Sequence, residues 1–474
     1  MTAVPFPVTS APGARPQESA GRLINAYAVK TEQGARGPLK WLRAPGLREV
    51  VNVDGRMGYR GFVEINGNVL AALEDRAVLI AKSGSDTSAA DLGALDGTGL
   101  ITIAKNNATP VADIVAVTEE GAFNLYTNDV PDSFADADLP QPNSVSGVKG
   151  YFAFTIADGR LFASDLNSVN LNSLSFTTAP GHLLRGVGYR DEWFVFGDDF
   201  CQVYRDAGLS PFPFDLVATI PIGLAGTHAI AGWEPGFTGT MVWAAQDDIV
   251  YKLNGYTPQA VSTEDVSRDI AATPDKSVLE ACVYMSNGNA FWVLTRPGFW
   301  SWTLNLTTGT WGERASYGQP GWCAARTIKA FSTWLAGDRQ SGKLFEIGAD
   351  VFREGDDPLV FEVVSGAVLA SPNRLAIGRL DVDMVAAVGR AAGEEPVETD
   401  PQVEISWSLD GGYRWSNPVF RAIGREGESR KAISVNRLGL AGPKGIMIRL
   451  RVSDPVHVTL FGAALTLIEQ RAPQ

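Results

Sequence analysis

The sequence is poor in the residues that build metal centres and disulfide frameworks. It has three cysteines, Cys201, Cys282 and Cys323, far apart and without a C-x-x-C pair. Its three histidines, His182, His228 and His457, show no metal-ligand spacing. A zinc centre is therefore not expected, and the cysteines read as buried free thiols of a protein made in a reducing cytosol. No stretch approaches about 18 uninterrupted apolar residues, so no membrane span is expected. The N-terminal MTAVPFPVTSAPGARPQESAGR lacks a basic region followed by an apolar run, so no signal peptide is expected. The phosphate-loop pattern G-x-x-x-x-G-K-[ST] and the G-x-S-x-G nucleophile elbow are both missing. The carboxylates of EEGAFNLYTNDVPDSFADADLP do not follow calcium-loop spacing and read as a solvated acidic loop. No cofactor is expected, and no amphipathic helix longer than a few turns is evident.

What the chain does have is turn formers and large apolar side chains. Its 474 residues include 50 Gly and 27 Pro, with 12 Trp and 22 Phe to bury between sheets, and 45% of them are hydrophobic. That length exceeds one ordinary core and predicts more than one domain. The net charge of −13 repels nucleic acid overall and disfavours a groove that grips DNA phosphates. The charge is unevenly spread. Between Ala391 and Asp410 there are six acidic residues and no basic ones, whereas Arg421 to Arg451 holds eight Arg or Lys against two Glu. This opposition reads either as a solvated loop beside a basic sheet face or as two complementary halves of a subunit contact.

Residues 1–40 are Pro- and Gly-rich with little periodicity and read as an extended N-terminal arm. From residue 41 to 355, apolar runs bounded by turn dipeptides recur, with Asn66-Gly67, Glu120-Gly121, Asp158-Gly159, Asn287-Gly288, Thr308-Gly309 and Ser341-Gly342 as turn signals. Strand-turn-strand units begin near Gly61, Ala112, Gly150, Gly186, His228, Ala281 and Gly321, a spacing of about 35–50 residues that suits propeller blades. Radial packing covers the faces of small antiparallel sheets and leaves only short edges. The expectation is an all-β chain: a β-propeller of six or seven irregular blades, closed by a strand near Leu42–Val51. A C-terminal β-sandwich of residues 356–474 follows it, where GIMIRLRVSD alternates apolar with cationic positions. The aromatic run FWVLTRPGFWSWTLNLTTGTW reads as blade core or, less economically, as a surface that stacks on sugars.

The stretch SWSLDGGYRWSN carries Ser408, Asp410, Gly412 and Trp415 in the spacing of the Asp-box of sialidases and related propellers. The glycines permit a tight hairpin, and the Ser408 and Asp410 oxygens can hold its backbone N–H groups. Two readings follow. One is a purely structural hairpin. The other is a carbohydrate-active propeller, either a sialidase-like hydrolase or a glycan-binding module. A glycosidase needs carboxylates across a sugar-sized cleft, and no such set is assignable here, so a non-enzyme with no catalytic residue is expected.

Three stretches carry a resemblance to a known family. GRLINAYAVKTEQGARGPLKWLRAPGL places Asn25, Tyr27, Pro45, Gly46 and Leu47 as an Asn-x-Tyr segment, a Gly-rich gap and a Pro-Gly-Leu turn, with Ala28-Val29 where the family has Pro-Glu. VGYRDEWFVFGDDFCQVYRDAG is similar to one of its blades. ISWSLDGGYRWSNPVFRAIG followed by LGLAGPKGIMIRLRVSDPVHVTLFGAAL resembles its C-terminal domain, with an S-x-D-G hairpin and an Arg-rich strand. The family is the packaged-DNA stabilisation or tail hub (tail accessory) proteins of short-tailed bacteriophages. The resemblance implies a structural virion protein, made in the host cytoplasm, that forms a hexameric ring below the portal and adaptor. Such a ring extends the DNA channel as hub or nozzle and helps retain the packaged genome. It seats tail spikes or fibres and a plug or needle, while double-stranded DNA passes without sequence-specific binding. On this reading Arg425, Arg430, Lys431, Arg437, Arg449 and Arg451 face a neighbouring subunit or the adaptor, where they meet Glu394, Glu395, Glu398 and Asp400.

Overall fold

The computed structural model describes residues 1–32, 37–134, 136, 138–369 and 373–468. Among these, five four-stranded antiparallel sheets stand alone and two more are embedded in larger sheets, giving seven blades. The first strands of the blades are Tyr59–Ile65, Thr102–Lys105, Ser144–Val148, Leu183–Tyr189, Ile230–Ala231, Glu280–Ser286 and Ala324–Ala330. These strands stand side by side around an axis, and that of blade 7 packs on that of blade 1. The units located from sequence match at five blades. In blades 2 and 3 they fall one strand late, because Thr102–Lys105 is short and Ser144–Val148 is half polar, so the apolar middle strands give the clearer signal.

Chain geometry repeats where the sequence does not. In blades 1, 3, 4, 6 and 7 the two inner strands are joined by two-residue hairpins with both residues at positive φ. The pairs are Asn66-Gly67, Lys149-Gly150, Arg190-Asp191, Asn287-Gly288 and Phe331-Ser332. Mirror-image turns of this kind match the right-handed twist of the strands they join.

The ring closes with the strand Gly46–Asn52, which pairs antiparallel to Lys343–Gly348 as the outermost strand of blade 7, from Gly46 opposite Gly348 to Asn52 opposite Lys343. The expected closing strand near Leu42–Val51 is this one. Trp292, Trp302 and Trp311 are buried in blade 6. Trp302 Nε1 donates to Asp269 Oδ2 at 2.9 Å, on the short helix Glu264–Ala271, and Trp311 Nε1 donates to the Val261 carbonyl at 2.7 Å. Those three tryptophans of the aromatic run are therefore blade core, whereas Phe299 at its hairpin is exposed.

The C-terminal strands form a two-layer sandwich. One sheet is ordered Ala26–Lys30, Leu39–Arg43, Thr459–Leu467, Leu375–Met384, Ile433–Ala441, with Thr2–Ala3 paired on Thr459–Leu467. The other contains Phe361–Ser365, Met447–Val452, Gln402–Ser408 and Val419–Ala422. Phe361, Val363, Ile405, Ile448 and Leu450 from this sheet pack on Trp41, Leu380, Leu460 and Leu465 from the first. Among the described residues before Leu39, the short strands Thr2–Ala3, Gly21–Ile24 and Ala26–Lys30, set between Pro and Gly residues, are paired into the C-terminal sheets, and Pro16–Glu18 is a single 3-10 turn, which is why this stretch shows no periodicity of its own. One of them, Gly21–Ile24, makes the second sheet continuous with blade 6. It runs antiparallel to Phe361–Ser365 on one side and meets Thr310–Glu313 through the pair Ile24–Glu313 on the other.

Candidate assembly surface

The N-terminal motif residues build the junction between propeller and sandwich. Asn25 is buried with φ of 49°. Its Nδ2 donates to the carbonyls of Ala315 at 2.8 Å and Val360 at 2.9 Å, and its Oδ1 accepts from the Ala315 N–H at 3.1 Å. One side chain thereby ties the N-terminal strand to the exit of blade 6 and the entrance of the sandwich. Tyr27 packs edge-on against Phe291 of blade 6 at 5.2 Å. Gly46 cannot carry a side chain, since a Cβ there would lie 2.4 Å from the carbonyl oxygens of both Val351 and Arg353.

Beneath this motif lies an ion pair that the sequence did not announce. Arg314 Nη2 meets Glu354 Oε1 at 2.9 Å with the side chains 1% and 3% exposed, and also donates to the Pro45 carbonyl at 2.7 Å. Trp322 stacks on the guanidinium at 4.9 Å and donates Nε1 to the same carboxylate oxygen at 3.1 Å. Burial pushes the Glu354 carboxyl up, and Arg314, Ser316 and Trp322 oppose it. Arg43 is likewise buried and spends its guanidinium on the carbonyls of Val452, Asp454 and Val456. Arg314 and Glu354 sit in turn-like stretches of sequence, and only their mutual position in space marks them.

The Asp-box hairpin has its oxygens committed to the turn. Ser408 Oγ donates to Asp410 Oδ1 at 2.8 Å and accepts from the Gly412 N–H at 2.8 Å. Asp410 Oδ1 also accepts from the N–H groups of Tyr413 at 3.0 Å and Arg414 at 2.9 Å. Burial works against the Asp410 charge, but these hydrogen bonds and the charge of Arg414 hold its carboxyl below the usual range. Gly411 and Gly412 take φ of 75° and 95°. Trp415 stacks on the Arg449 guanidinium at 4.7 Å, and the hairpin covers Met447, which is buried although it shares a strand face with Arg449 and Arg451.

The charged candidates divide by partner. Arg451 lies 4.0 Å from Glu362 and 3.9 Å from Glu404, its cross-strand neighbours, and Arg449 adds its charge to Glu362 from the same face. Arg22 on the adjacent strand binds Glu313 through Nε at 3.0 Å, so this face is a ladder of alternating charge within one chain. Three acidic candidates also have partners of their own: Glu394 with Arg353 at 2.7 Å, Glu398 with Arg390 at 3.0 Å, and Asp400 with Arg425 at 3.2 Å. Lys431 pairs with Glu428 at 3.4 Å. Arg430, Arg437 and Glu395 are exposed and, among the described residues, have no ion-pair partner in their own chain. The structure thus brings Arg425 to Asp400 and leaves Arg449 and Arg451 facing Glu362 and Glu404, which the sequence reading had not singled out.

The chain matches two family models in succession. One, described as "Bacteriophage P22 Gp10, beta-propeller", covers residues 22–350, and the other, described as "Bacteriophage P22 Gp10, beta-sandwich", covers residues 363–467. No curated protein sequence matches the chain. Among solved structures, the WD40 beta propeller domain of Doa1 is similar at 10% identity and a TM-score of 0.41, over 64% of this chain and 96% of that one. The extracellular domain of the putative hybrid two component system BT4673 from B. thetaiotaomicron is similar at 9% identity and a TM-score of 0.43, over 70% of this chain and 42% of that one.

Proposed function

The chain belongs to the bacteriophage P22 Gp10 family and is a structural protein of the phage virion, and from that premise we propose that it is the tail hub or nozzle subunit. Copies assemble into a hexameric ring below the portal and adaptor, extend the DNA channel, hold the packaged genome and seat tail spikes or fibres and a plug. The observation that carries this reading is the succession of the two family matches along a chain whose two domains share one continuous sheet through Gly21–Ile24. A subunit built that way transmits load between its ends as one body.

DNA runs on the axis of the ring, between copies, and not through a propeller. The propeller's own axis is crossed by the loop after Ile230–Ala231, where Phe237 packs on Trp334 of blade 7 at 6.3 Å and Trp233 stacks on Arg185 of blade 4 at 4.9 Å. A net charge of −13 lets the duplex slide. Arg430, Arg437 and Glu395 are the candidates left for a neighbouring subunit, because the remaining charges are engaged at home. The Asp-box serves the hairpin, since its carboxylate is spent on backbone N–H groups, and the protein acts without catalysis.

The test is to assemble particles without this protein. They are expected to package DNA, then lose it to added nuclease, and to carry no spikes. Full retention of nuclease-resistant DNA in its absence would overturn the reading.

A further inference from the structure

The N-terminal arm and the Asp-box hairpin enclose a cleft. The arm loops out over residues 12–20 and is closed at its neck, where the Ala11 N–H donates to the Gly21 carbonyl at 2.9 Å and the Ala20 N–H to the Ala11 carbonyl at 3.0 Å. The Gly13 N–H pins the loop to the short helix Glu264–Ala271 by donating to Asp265 Oδ1 at 3.0 Å. On its other side the loop abuts the hairpin. A Cβ on Gly412 would lie 3.1 Å from Met447 Sδ and 3.2 Å from Pro16 Cβ, so this glycine, at φ of 95°, lets hairpin, strand and loop meet. Between them lies a cleft of about 320 Å³, whose charged lining is Arg15, Arg22, Arg449 and Glu362, beside Trp415.

These four charges are not used alike. Arg22 is bound to Glu313 through Nε at 3.0 Å, and the charge of Glu362 is met by Arg449, Arg451 and Arg22. Arg449 is stacked on Trp415 at 4.7 Å but makes no hydrogen bond and no ion pair among the described residues. The side chain of Arg15, exposed on the loop, makes neither. A guanidinium held flat on an indole keeps its in-plane N–H groups available, and that fork fits a carboxylate in two-point contact. Arg15 adds a cation with no counter-charge, so the cleft suits a carboxylate that enters from solvent. A carboxylate in the complementary state stands at the far end of the same sandwich. Glu395 is exposed and unpaired among the described residues, in a loop of residues 393–400 that leads into the strand Gln402–Ser408. The hairpin follows that strand directly, so loop and cleft lie at its opposite ends, about 20 Å apart. Complementary charges at opposite ends of one subunit join copies head to tail.

Resting on the reading of this chain as a ring subunit, we propose that the cleft takes Glu395 of a second copy, its carboxylate held between Arg15 and Arg449. The Asp-box hairpin is then one wall of a head-to-tail subunit contact. The experiment uses particles assembled with full-length variants. With Arg15→Cys and Glu395→Cys in one chain, a short bismaleimide is expected to join copies into a ladder of covalent multimers, while either single change gives none. Glu395→Arg and Arg449→Glu alone are each expected to lower the copy number in particles about tenfold or more. Together they reverse both partners and are expected to bring it back near the wild-type value. Should Arg449→Glu fail to fold, Arg15→Glu, on the exposed loop, takes its place. The chain present in particles without the ladder, or a double reversal no better than either single change, would overturn the contact and leave the tail reading standing. Absence of the wild-type chain from particles would sink both.

Discussion

At the junction, Arg314, Glu354 and Asn25 are buried, and their bonds reach three separate segments of the chain. On the sandwich rim, the exposed side chains of Arg425 and Lys431 each make one ion pair, and Arg430, Arg437 and Glu395 make none among the described residues. The same residue types do different work in the two places. A buried pair has lost its hydration and cannot be broken cheaply, so it holds the exit of blade 6 against the segment that follows blade 7. An exposed pair gains little from its partner and gives it up readily, so it is free to exchange into a contact with another molecule. The buried charges are therefore committed to this chain's own fold, while the rim charges proposed for a neighbour are exchangeable.

The most severe way to break this comparison is Glu354→Ala, which strands a buried guanidinium and is expected to cost about 3–5 kcal/mol in denaturant unfolding. The double change Arg314→Met with Glu354→Leu removes both charges and is expected to recover most of that loss. Next comes Asn25→Ala, which orphans two carbonyls and one N–H and is expected to cost about 2–3 kcal/mol, with protease cleavage appearing between the domains.

Glu119 falls between the two regions. Its side chain is 43% exposed, and burial opposes its charge, yet the N–H groups of Thr98 and Gly99 and the charge of Arg60 bring its carboxyl down to about 2. Its folded value is depressed, so the stability it contributes is present above the usual carboxylate range and is lost as pH falls from about 4 toward 2. In Glu119→Gln the unfolding midpoint should fall less steeply across that window, and an unchanged acid limb would remove Glu119 from the account. At the rim, Arg430→Glu with Arg437→Glu should shift stability by less than about 0.5 kcal/mol while abolishing incorporation into particles. Normal incorporation would show that the unpaired rim charges are not the contact.

The blade turns explain how much of the fold was legible in the sequence. Asn66-Gly67 and Asn287-Gly288 announce their hairpins, because Asn and Gly take positive φ at low cost. Arg190-Asp191 and Phe331-Ser332 adopt the same conformation with residues that signal nothing, held there by the strands on either side. The repeat is thus regular in space and degenerate in letters. Ser332→Gly, at φ of 65°, should stabilise the chain by about 0.5–1 kcal/mol. The Asp-box was legible because the hydrogen bonds that hold its turn lie between Ser408 and Arg414. The Arg314–Glu354 pair, 40 residues apart, became visible only when the ring closed.

The central claim, that this chain is a ring subunit of the phage tail, is tested most directly by quantitative mass spectrometry of purified particles, scaled to the major capsid protein and read beside images of the tail. The account predicts a low, fixed copy number equal to one hexameric ring per particle, with density for it beneath the portal and adaptor. Absence from particles, with the protein free in the lysate, would contradict it.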